Sequence, residues 1–189
     1  MRETVSQVHD ALTELAKGYD LEAALKGADV SFVAGSTGKA NGHAWQSDGK
    51  GYFSISPAKR GIAGDAEQKE YADARAAAGK GHWSISTRPG IDARESARST
   101  IVHEFAHALG MQKHIDSPIK LRRILEDMHN GDRQAMTVWI RDNVSEYALH
   151  NIKETDAELA ALVTSPLYVR GTLPEVIENH VDELFKRRK

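Results

Sequence analysis

Ten consecutive residues constrain this chain more than any other stretch: Ile101-Val102-His103-Glu104-Phe105-Ala106-His107-Ala108-Leu109-Gly110. From about Ala93 to Leu109 the pattern is helical, and Gly110 stands where a C-terminal glycine cap belongs. A spacing of four puts His103 and His107 on one helix face, one turn apart. Two imidazoles so placed can converge on one metal ion. Glu104 sits about 100° round the helix from His103. It can reach a water on that metal without being a ligand. Zinc lowers the pKa of such a water to near 7, and a carboxylate beside it takes the proton. H-E-x-x-H on a helix is therefore expected to mark zinc-dependent peptide hydrolysis. The competing reading is a core helix with two capping histidines and a solvated Glu104.

Composition narrows the choices. The chain has 189 residues, nine histidines and no cysteine. Absence of cysteine excludes disulfides, thiol catalysis and every cysteine-containing zinc site. Any zinc must then be held by nitrogen and oxygen. Lys and Arg number 25 against 27 Asp and Glu, so the formal charge is −2. Near-neutrality argues against nucleic-acid binding. No apolar run approaches the roughly 18 residues of a membrane span. Met1-Arg2-Glu3-Thr4-Val5 lacks the layout of a signal peptide. The expected location is cytoplasmic, virion-associated, or delivery as part of a toxin. The sequence offers no reading of oligomeric state.

A single domain over residues 1–189 is expected. Val5, Val8, Leu12 and Leu15 predict a first helix ending at Gly18, and a short second helix runs through Leu21 and Leu25. Val30 to Ala34, His43 to Trp45 and Tyr52 to Ser56 read as strands. Ala66 to Ala78 is helix-compatible. His82-Trp83-Ser84-Ile85-Ser86 alternates like a further strand. Gly35-Ser36-Thr37-Gly38-Lys39 lacks the first glycine of a phosphate loop, having Val33 there instead. From Pro118 onward, helices follow one another with breaks at Gly131, Pro166, Gly171 and Pro174. The class is α+β. A small mixed sheet lies in the sheet-bearing part, about 1–92. The active-site helix covers about 93–110, and a mainly helical part covers about 111–189.

A catalytic zinc needs a third protein ligand and one open position. The H-E-x-x-H-x-x-G-x-x-H pattern fails, because Lys113 stands at its last position and His114 lies one residue too far. Later carboxylates remain: Glu126, Glu146, Glu154 and Glu158.

With these features the chain resembles the zincin metallopeptidases. Ser145-Glu146-Tyr147-Ala148-Leu149-His150-Asn151-Ile152-Lys153-Glu154-Thr155-Asp156-Ala157-Glu158 resembles the third-ligand region of the anthrax toxin lethal factor family and related phage-encoded zincins. That family is a gluzincin type, with a glutamate as third ligand. Tyr147, Asn151, Glu154, Ala157 and Glu158 match its spacing. Thr155 and Asp156 depart from the aromatic or apolar residues usual after the ligand. The match covers roughly a fifth of the chain. The resemblance implies a zincin-like fold, with His103, His107 and Glu154 on Zn²⁺ and Tyr147 stabilising the oxyanion. It also implies an edge strand at His82–Ser86 along which a peptide or protein substrate pairs.

Other readings stay open. Asn151-Ile152-Lys153-Glu154 has capping-box spacing, so Glu154 is either a ligand or a helix cap. Glu158 is either an acceptor that orients a zinc-bound histidine or a solvated charge. Tyr168 is the fallback for Tyr147, and His150 lies near the proposed site in sequence. The expected function is a zinc-dependent endopeptidase. Its alternatives are a catalytically silent binding or structural module of a virion or toxin, and zinc serving only to staple the fold.

Overall fold

The structure, a computed structural model, describes residues 2–34, 42–55, 70, 74–75, 77–78, 81–112 and 116–188. The turn at 35–39, most of the expected 66–78 helix, Lys113 and His114 lie outside the described residues. The fold is mixed α+β and mostly helical.

Helix α1 spans Arg2–Gly18 and α2 spans Leu21–Leu25. Thr4, Val8, Ala11 and Leu15 form the buried stripe of α1, whereas Val5 is 47% exposed. The expected face is thus correct from Val8 onward and displaced at the start of the helix. Asp20 caps α2 by accepting from the Ala23 amide.

Three strands form one sheet: β1 (Val30–Phe32), β2 (Gly42–Ser47) and β3 (Lys50–Ile55). Their order is β1-β3-β2, with β1 parallel and β2 antiparallel to β3. Asp48 (φ 51°) and Gly49 (φ 75°) join β2 to β3. Two left-handed residues are what a tight hairpin needs, and Asp-Gly supplies them cheaply. Phe53 and Ile55 of β3 point into the core, and Phe53 meets Phe105 edge-on at 5.9 Å.

Helix α3, Ala93–Gln112, is the central element and is buried on nearly every side. It packs against the sheet, α1 and a later helix, α6 (Ile152–Val163). Asp92 accepts from the Glu95 amide at its start. Contrary to expectation, Gly110 does not end the helix, which continues two residues further. At Gly51 of β3 an added Cβ would lie 2.7 Å from the Ala108 carbonyl and 2.9 Å from Gln112 Cγ. This close contact with the sheet supports the last turn.

The rest is helical, as expected: α4 (Ser117–Met128), α5 (Arg133–Asn143), α6 (Ile152–Val163) and α7 (Glu175–Phe185). Asp132 caps α5 and Asn151 caps α6, each through two amides. Gly131 (φ 75°) and Gly171 (φ 86°) occupy the breaks. One hydrophobic cluster runs from Val8 of α1 to Phe185 of α7.

The strand expected at His82–Ser86 is absent. Residues 82–84 are irregular and Ile85–Thr87 forms a 3-10 turn. Hydroxyls favour this local closure. The Ser84 amide donates to Thr87 Oγ1 at 3.1 Å, and the Thr87 amide donates back to the Ser84 carbonyl at 3.0 Å. The carbonyls of His82 and Trp83 accept from the Glu146 and Tyr147 amides. Those groups are therefore engaged within the chain, and the segment offers no open strand edge. Among the described residues no helix is long and apolar enough to cross a membrane.

Candidate metal centre

The period of α3 brings the two histidines together. Their Nε2 atoms lie 3.1 Å apart and their ring centroids 4.7 Å apart. Fifty-one residues beyond His103, the first turn of α6 places Glu154 opposite them. Glu154 Oε2 lies 3.1 Å from both Nε2 atoms. His103, His107 and Glu154 thus form a group that could hold a metal ion. Bonds of about 2.0–2.1 Å from a tetrahedral zinc would set its ligand atoms about 3.3–3.4 Å apart. A triangle with sides of 3.1 Å is close to that face, and its two nitrogens and one carboxylate oxygen suit zinc. Among the described residues no fourth carboxylate, histidine or cysteine joins the group.

The two readings of Glu154 separate cleanly. Asn151 is the cap, because its side chain accepts from the amides of Lys153 and Glu154. The carboxylate of Glu154 faces the histidines instead of turning back to the cap. Burial pushes its pKa up, but hydrogen bonds and charge interactions with His103 and His107 hold it well below the usual range. Burial pushes His103 down, and the carboxylates of Glu154 and Glu158 lift it above 6.5 overall.

Glu158 is no solvated charge. It is 3% exposed and lies one turn beyond Glu154. Its Oε1 is 3.0 Å from His103 Nδ1, although the ring N–H is not aimed squarely at that oxygen. Its Oε2 accepts from the Ile85 amide and the Ser145 hydroxyl, both at 2.7 Å. These contacts keep the carboxylate against the back of the histidine ring.

Glu104 is 8% exposed, and among the described residues nothing donates a hydrogen bond to its carboxylate. Burial raises its pKa, opposed by His103 and His107. The carboxylate is packed over Gly42, the first residue of β2. A Cβ there would sit 2.4 Å from Glu104 Cγ and 2.5 Å from Oε1.

Tyr147 opens the 3-10 turn Tyr147–His150 between α5 and α6. Its ring is 5.9 Å from that of His103, and it also meets Trp83 at 5.8 Å and His150 at 4.8 Å. Its hydroxyl has no protein partner among the described residues. Burial, with Glu154 and Glu104 next, raises its pKa to about 12, so it remains a proton donor.

The remaining candidates lie elsewhere. Tyr168 donates to Glu178 in the C-terminal network. Glu146 pairs with Arg75 at 2.6 Å, and Glu126 is exposed on α4. The sequence reading missed Gly42 and Ser145. A glycine inside a strand can signal close approach of another group, but Gly42 lay in a stretch that reads as loop. For Ser145, nothing local signals its bond to Glu158, which is 13 residues away. The chain matches no family model, no curated protein and no solved structure.

Proposed function

We propose that this protein is a zinc-dependent endopeptidase of the gluzincin type, with a zincin-like fold. The observation that carries the reading is a 3.1 Å triangle of His103, His107 and Glu154, with a buried Glu104 on the histidines' helix whose carboxylate has no hydrogen-bond donor among the described residues. The three residues would hold the ion. Zinc there would supply a Lewis acid that polarises the scissile carbonyl and acidifies water.

The chain's own groups do the rest. Glu104 takes a proton from the attacking water as its oxygen bonds to the carbonyl carbon. It then delivers that proton to the amide nitrogen as the C–N bond breaks. A raised pKa suits a group that must both accept and release the proton. Tyr147 donates its O–H to the carbonyl oxygen as negative charge develops there. Glu158 keeps the His103 ring in place. The substrate pairs with the outer edge of β2 rather than with 82–86. Among the described residues that edge has no partner strand, and it begins at the glycine beneath Glu104.

The test is metal analysis followed by digestion of a degenerate peptide library, with and without chelator. The wild type binds one zinc and cleaves. Glu104→Gln keeps the zinc and loses about 10²–10⁴-fold in rate. Zinc bound without any cleavage supports the silent module, and four protein ligands with no exchangeable position supports the staple.

A further inference from the structure

The Ser145 side chain is completely buried, yet its hydroxyl makes two directional bonds. As donor it reaches Glu158 Oε2 at 2.7 Å. As acceptor it takes the Ala148 amide at 3.1 Å. The first bond leads through Glu158 to His103 Nδ1. The second holds the 3-10 turn whose first residue is Tyr147. One hydroxyl therefore links the carboxylate behind a candidate ligand with the turn that carries the candidate proton donor.

We propose that Ser145 is a positioning residue for the metal centre, setting the Glu158 carboxylate and the Tyr147 turn in register with each other. The chemistry is specific to a hydroxyl at this point. Glu158 Oε2 already accepts from the Ile85 amide, which is fixed by its own segment. A second donor to the same oxygen restricts the rotation of the carboxylate plane, and so how Oε1 meets the histidine. The same oxygen replaces the helical partner that the Ala148 amide lacks at the start of its short turn. Further bonds set the turn from other sides. The Tyr147 amide donates to the Trp83 carbonyl at 2.7 Å, and Thr155 Oγ1 donates to the Ala148 carbonyl at 2.7 Å. Among the described residues, only the Ser145 hydroxyl joins the turn directly to the carboxylate behind His103.

The proposal rests on the metal reading of His103 and not on peptide cleavage. Its test uses Co²⁺ as a probe of ligand affinity and geometry in the full chain. Ser145→Ala should bind Co²⁺ about tenfold more weakly, within the range for residues that support a metal ligand. Its visible absorption band should shift. Combined with Glu158→Gln, it should add nothing to that variant's loss, since both act through one carboxylate. Ser145→Thr, which keeps the hydroxyl, should recover the wild-type spectrum. If the alanine variant does not fold by circular dichroism, Ser145→Cys repeats the test with a thiol too weak as a donor to replace the hydroxyl. A folded alanine or cysteine variant with wild-type affinity and spectrum overturns the proposal. Full additivity with Glu158→Gln overturns it too. A wild type that takes up no Co²⁺ overturns both the metal reading and the proposal. A wild type that binds Co²⁺ but cleaves no peptide defeats only the peptidase reading.

Discussion

Gly42→Ala isolates the placement of Glu104 from the binding of metal. The new Cβ would sit 2.4 Å from Glu104 Cγ, 2.5 Å from Oε1 and 2.7 Å from Cδ, whereas ordinary contact begins at 3.4 Å. The side chain must therefore retreat by about 1 Å, since 3.4 − 2.4 = 1.0. The strand itself accepts alanine, because Gly42 has no left-handed φ. Glu104 is the flexible partner and can swing, so folding should lose no more than about 2 kcal/mol, within the usual range for overpacking. Catalysis is less tolerant, because a displacement of about 1 Å can cost about 10²-fold, or about 2.7 kcal/mol of barrier. The assay is kcat on one cleaved peptide from the library, with zinc content and thermal midpoint measured on the same preparation. The expected result is full zinc occupancy, a small fall in midpoint and a kcat about 10²-fold lower. A kcat within about threefold of wild type, with zinc retained, would refute the reasoning. Loss of zinc would show instead that the strain reaches His103 and His107.

Two further outcomes follow from the same geometry. Glu158→Gln should weaken zinc binding by about 10–100-fold, read by competition with a chromophoric chelator; unchanged affinity would place Glu158 outside the site. The metal-free protein should lose stability as pH rises from about 6.5 toward about 10. His103 has a raised pKa, so above 6.5 the folded state holds more protons than the unfolded state. Its stabilising contribution is complete below the unfolded value and is lost as pH climbs through the folded one. Glu154→Gln should flatten that decline in thermal midpoint, and a flat wild-type profile would contradict the assignment. Zinc affinity should rise over the same window, because binding displaces that proton.

Local pattern carried most of the elements and some of the site. The alternation that begins at Tyr52 corresponds to β3 as far as Ile55, beyond which Ser56 lies outside the described residues. The same alternation at His82 to Ser86 misled. There, Ser84 and Thr87 close a local turn while residues 146–147 take up neighbouring carbonyls. Gly110 has the residue type of a cap, but β3 packs against Ala108 and Gln112 and the helix runs on. Capping-box spacing correctly located the start of α6, yet could not say where the Glu154 side chain points.

The sequence by itself determined the parts of the site that lie within one helical turn. His103, Glu104 and His107 are related by 3.6-residue geometry alone, which no packing need supply. The absence of cysteine likewise restricted any zinc to nitrogen and oxygen ligands before any fold was known. Tertiary structure decided everything that spans distant segments. Docking α6 on α3 turned Glu154 toward the histidines and brought Glu158 behind His103. Docking of β2 set Gly42 under Glu104, and the turn after α5 brought Tyr147 and Ser145 alongside. These contacts depend on which buried faces meet, and a one-dimensional pattern records the faces without their partners.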